Sequence, residues 1–123
     1  MRSKNFIVPL VIYPFEVMVS FGQSDEMLLK TLSPFLTQSE IESKNFSFRA
    51  DEDAKALIFR CGQVLIRTQS IPKSIYEYGT LQHEIFHAVS FVMERIGVKF
   101  CNKSDEAYAY LIGYLTREIY KQI

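Results

Sequence analysis

Apolar and polar residues alternate in short blocks along the first third of the chain. Phe6–Tyr13 is rich in β-branched and aromatic residues and predicts a strand, with Pro9 suited to an edge or a bulge. Pro14 breaks the run. Phe15, Val17, Val19 and Phe21 then alternate with Glu16, Met18 and Ser20, which predicts a second strand hairpin-paired to the first and ended by Gly22. Ser24 reads as an N-cap, with Asp25 and Glu26 in the first turn where they suit the helix dipole. That helix reaches about Ser33, and Pro34 interrupts it. Thr37–Phe46 is polar, with a helical turn expected near Ser39–Glu42. Ala56–Arg60 and Gln63–Thr68 flank Cys61-Gly62, the pattern of a tight hairpin. Ile71–Tyr78, with Pro72, is expected to be a loop.

The period then changes to that of a helix. Leu81, Ile85, Ala88, Val92 and Ile96 form one apolar stripe, which predicts a helix from about Tyr78 to Ile96 with Gly97 as its C′ residue. A last helix begins at Ser104, read as its N-cap, and runs close to Ile123. Its stripe is Tyr108, Leu111, Ile112, Leu115 and Ile119, with Glu106, Ala109, Tyr110 and Gly113 on the other side. The expected fold is a single α+β domain over residues 1–123. It has a small twisted, mostly antiparallel sheet of about four strands, packed with the two C-terminal helices.

The chain is 48% hydrophobic, enough for a core, and its 14 basic residues balance 14 acidic ones. That balance argues against a nucleic-acid partner, which calls for a basic face. The Asp51-Glu52-Asp53 run reads as a solvated turn. Cys61 and Cys101 read as reduced thiols and the location as cytoplasmic, because disulfide-stabilised domains carry more cysteines. The apolar run Phe6–Phe21 after Met1–Lys4 has a superficial likeness to a leader. Pro9, Pro14 and Glu16 interrupt it, and it is short for a membrane span, so two strands and no membrane partner are expected.

Both histidines of the chain lie in Thr80-Leu81-Gln82-His83-Glu84-Ile85-Phe86-His87-Ala88-Val89. Residues four apart on a helix share a face, so His83 and His87 can offer two imidazole nitrogens to one metal ion. Glu84 sits about 100° further round, turned from the ligand pair but within reach of a water at the metal. Two nitrogen ligands, a water and a carboxylate base make up the H-E-x-x-H arrangement of a zinc hydrolase. A catalytic zinc commonly takes three protein ligands. With no third histidine, the third must be a carboxylate or a thiolate.

Thr80–Val89 also resembles the wider zincin pattern: Thr or Val, an uncharged residue, any residue, His-Glu, two uncharged residues, His, an uncharged residue, a hydrophobic residue. Within that class the likeness is to the glutamate branch, the gluzincins, whose third ligand comes from a second helix in an Asn-Glu-Ala-like context. Asp105-Glu106-Ala107 matches that context, so the resemblance implies Glu106 as third ligand to Zn²⁺. Small phage-encoded proteins with H-E-x-x-H look similar along more of the chain. In thermolysin-like members an aspartate four residues after the glutamate orients a zinc histidine; here that position is Tyr110. Those enzymes also use a downstream histidine on the oxyanion. None follows His87, so Tyr110, Tyr114 or Arg117 is the expected substitute.

The function this implies is zinc-dependent hydrolysis of a peptide or protein substrate, with Glu84 as general base. A zinc-binding module that acts by protein–protein interaction without catalysis is the alternative, and a hydrolase of non-peptide amides a third. For Glu106 to reach His87, Gly97–Lys103 must run extended back along the motif helix. The strand edge expected to receive a peptide is Gln63–Thr68.

Overall fold

A computed structural model of the protein describes residues 2–123; Met1, counted in the N-terminal run above, lies outside them. The elements are β1 (Lys4–Pro9), β2 (Glu16–Phe21), α1 (Asp25–Leu32), a 3-10 turn (Ser33–Phe35), α2 (Gln38–Ser43), β3 (Ala54–Ile58), β4 (Val64–Thr68), α3 (Ile75–Arg95) and α4 (Asp105–Tyr120). The class is α+β, as the period changes along the sequence imply. The four strands form one sheet in the order β1-β2-β4-β3. β1–β2 and β3–β4 are antiparallel, and β2–β4 is parallel.

That order corrects one expectation. β4, which covers most of Gln63–Thr68, is not an edge. It lies between β2 and β3, and all five of its residues are buried. The hairpin turn at Cys61-Gly62 forms, with Gly62 at φ +100°, where a side chain would be strained. The hairpin carries β3 to the outside and inserts β4 beside β2. β3 is therefore the edge strand that faces α3.

Both sides of the sheet are covered. Val17, Val19, Phe21, Val64 and Ile66 face the stripe of α3 (Leu81, Ile85, Ala88, Val92) and Leu111, Leu115 and Ile119 of α4. Met18 and Leu65 face the other way, against Leu28, Leu32, Phe46 and Phe59. No helix among the described residues is long and apolar enough to cross a membrane.

α3 begins earlier than Tyr78. Ser74 and Glu77 form a capping box, each side chain bonded to the other's backbone amide. Its end is a Schellman motif: Val98 N–H bonds to Met93 O at 2.8 Å and Gly97 N–H to Glu94 O at 3.0 Å, with Gly97 at φ +81°. Val98–Phe100 then runs back along α3, where the Phe100 ring lies edge-on to Phe86 at 6.3 Å between centroids. A turn at Cys101–Ser104 ends this return, so it is shorter than the one expected over Gly97–Lys103. Ser104 does not cap α4 with its side chain; its Oγ accepts from Cys101 N–H and donates to Lys99 O.

Candidate metal centre

The capping box and the buried stripe fix the rotation of α3 about its axis. Leu81, Ile85, Ala88 and Val92 turn inward, which leaves His83 and His87 exposed on the far side. Their Nε2 atoms lie 3.0 Å apart, with the rings 4.7 Å between centroids and inclined at 74°. Two nitrogens on a tetrahedral zinc, each at 2.0–2.1 Å, would stand about 3.3 Å apart. The pair therefore fits one shared cation in donor type and in spacing.

Glu84 lies between that exposed face and the core, and only 9% of its surface is exposed. Burial pushes its carboxyl pKa above the ordinary value; the neighbouring His83 and His87 pull it the other way, and Glu52 adds to the rise. A carboxylate held this way is a better proton acceptor than a solvated one.

His83, Glu84 and His87 form one side of an open cleft of about 980 Å³. The edge of β3 runs along it, and the opposite wall is the segment from Ser43 to Glu52. Lys44, Arg49 and Glu52 bring charge to that wall, and Lys55 of β3 reaches across to it. Two details of the ladder show which groups of β3 are free. Phe59 N–H bonds to Gln63 O at 2.9 Å, and Gln69 N–H to Asp53 O at 3.0 Å. In an antiparallel pair such bonded positions alternate, so Asp53, Lys55, Leu57 and Phe59 point their backbone groups at β4. Ala54, Ala56 and Ile58 point theirs outward, along the open edge.

Glu106 is not brought to the histidines. Gln82 Nε2 donates to Thr116 Oγ1 at 2.8 Å and Tyr120 OH to Gln82 Oε1 at 3.1 Å, so α4 packs antiparallel to α3. Counting at 1.5 Å per residue from that crossing puts Glu106 roughly 7–14 Å beyond His87 along the helix direction, before any lateral separation. Glu106 is exposed, and among the described residues no three His, Cys, Asp or Glu side chains gather where they could hold a metal. Tyr110 is 58% exposed, Tyr114 OH donates to Pro9 O at 2.8 Å, and Arg117 is an exposed cation beside Gly113. None of the three lines the cleft.

What sequence reading missed is the cleft's other wall. Glu52 was expected in a solvated turn; it lines the cleft, pairs with Lys55 at 3.1 Å and accepts from Arg49 N–H at 2.8 Å. No local pattern marks such a wall, because it meets α3 only through the fold. No family model, no curated protein and no solved structure matches this chain.

Proposed function

We propose that the chain is a zinc-dependent peptidase. The observation that carries this reading is the convergence of His83 Nε2 and His87 Nε2 at 3.0 Å, with the half-turned Glu84 carboxylate beside them and an open strand edge alongside. Zinc, when bound, supplies Lewis acidity to a carbonyl and to a water at this position. The two histidines hold it through Nε2. Glu84 takes a proton from the attacking water and delivers it to the nitrogen of the leaving amine. Ala54, Ala56 and Ile58 take the substrate backbone as an added strand, which holds the scissile peptide along α3. Lys44 and Arg49 on the facing wall supply positive charge for the developing oxyanion, the role expected of Tyr110, Tyr114 or Arg117. Cytoplasmic residence belongs to the same reading and rests on the two exposed, unpaired cysteines.

A second reading keeps the zinc and drops the chemistry: a module that binds a partner protein without cleaving it. The position of Glu106 favours it, since among the described residues no third His, Cys, Asp or Glu gathers with the pair. The test is exposure of a broad peptide library to the purified protein, with and without chelator, read by mass spectrometry. Chelator-sensitive cleavage supports the peptidase. Zinc binding with no cleavage supports the module.

A further inference from the structure

A second, smaller cavity opens beside the cleft. It holds about 260 Å³ and shares Ala54 of the edge strand with the cleft. Thr80 lines it from α3, three residues before His83 and four before Glu84, so on the helix surface it neighbours both. The cavity therefore sits about one helical turn, some 5 Å, from the histidine pair along the same strand edge. A substrate strand on β3 advances about 3.3 Å per residue. A peptide strand added to β3 would bring one side chain near the scissile bond to the mouth of this cavity.

The lining gives that side chain its chemistry. Ala54, buried Pro72 and the ring of Tyr76 make apolar walls. The charges on the rim are Asp53 and Glu77, and no cation lines the cavity. Glu77 is fixed in place: the Lys73 and Ser74 amides bond to its Oε1 at 3.2 and 3.0 Å, and Ser70 Oγ to its Oε2 at 2.9 Å. Those bonds, from the Ser74 amide first, keep its pKa below the ordinary value, so it is ionised near neutral pH. Asp53 is exposed at the mouth. An acidic side chain is repelled here, and a purely aliphatic one leaves the carboxylates unanswered. A long apolar stem with a cationic head meets both walls and rim, and Tyr76 is an aromatic neighbour for the cation.

We infer that this cavity is a specificity pocket for a lysine or arginine side chain next to the bond that is cut. The inference rests on the reading that the cleft holds a peptide.

The test uses peptides of one sequence that carry Lys, Leu or Glu in turn at each position around the cleavage site. Wild type, Asp53→Lys and Tyr76→Ala are compared, with circular dichroism to confirm that each is folded. At one position wild type should prefer Lys over Leu by about tenfold, the scale of a charge-assisted contact. Asp53→Lys should cut that ratio by about tenfold and favour Glu instead, and Tyr76→Ala should cut it by about threefold. A ratio unchanged in folded Asp53→Lys, or Leu preferred at every position, overturns the pocket. If no peptide is cleaved at all, the peptidase reading fails by itself. Fluorescence anisotropy of the same peptides then decides the pocket: Lys-peptide binding weakened in Asp53→Lys upholds it, and equal binding of Lys, Leu and Glu peptides overturns it.

Discussion

Lys55 and Arg67 stand directly opposite each other across β3 and β4, on the face turned from α3. Two like charges in that relation repel. Both side chains are nevertheless well covered, because they spend their donors on the cleft wall. Arg67 bonds to Asp25 Oδ1, Phe46 O and Gln23 O, each at 2.8 Å, and lies 4.4 Å over the ring of Phe48. Lys55 bonds to Ser47 O at 2.7 Å and Asn45 O at 3.1 Å. Three successive carbonyls of the wall are thus held by two cations. Arg67→Met keeps the stem and strips these bonds. It should cost about 3 kcal/mol of stability, or about 10 °C in Tm, read from urea and thermal unfolding. A loss under about 1 kcal/mol would mean that the wall is held by other contacts.

Acid should loosen the protein in a defined window. The Thr37 amide bonded to Glu40 holds that carboxyl below its ordinary pKa, and the Ser74 amide does the same for Glu77. A carboxyl depressed in the folded state contributes stability that is complete above its unfolded pKa, near pH 4.3, and lost as pH falls through the folded value. Tm should be flat from about pH 7 to 5 and then fall. In the double variant Glu40→Gln, Glu77→Gln the fall should be shallower. An identical acid slope in the two proteins would contradict the assignment.

The sequence shows some of this plainly. Val17, Val19 and Phe21 declare one face of β2 by simple alternation, and the stripe from Leu81 to Val92 fixes which way the histidines of α3 point. The box formed by Ser74 and Glu77 starts α3 three residues before the expected Tyr78, inside the stretch where Pro72 suggests a loop. Other relations are not local. The parallel pairing of β2 with β4 joins Val17 to Val64, and no turn residue announces it. Glu106 illustrates the same limit. Its context resembles a ligand helix, but the turn at Cys101–Ser104 starts α4 antiparallel to α3, with Thr116 and Tyr120 level with Gln82, which leaves Glu106 past His87.

On the proposed reading, zinc rests on the two histidines without Glu106. His83→Ala should weaken zinc binding by about a hundredfold or more, since it removes one of two converging nitrogens. Glu106→Ala should change affinity by less than about threefold, as expected for an exposed carboxylate remote from the metal. Titration calorimetry of the three proteins reads both. Comparable losses in the two variants would show that α4 moves to bring Glu106 to the pair.

The open edge makes a separate prediction. Ala56 points its N–H away from β4, so Ala56→Pro removes an outward donor and leaves the β3–β4 ladder intact. Peptide turnover should fall by about tenfold through KM, the worth of one strand hydrogen bond and its fit, with little change in Tm. Full turnover in folded Ala56→Pro protein would argue that peptide binds elsewhere.

The central claim is that Glu84 moves the proton, and one comparison tests it most directly: peptide cleavage by wild type and Glu84→Gln at matched zinc occupancy. Glu84 is turned from the histidine pair and is not needed to hold the metal, so zinc content and fold should stay the same. A positioned general base is worth about 10²–10⁴ in rate, and hydrolysis should fall by that order. Equal activity in the two proteins would contradict the account even with the metal in place.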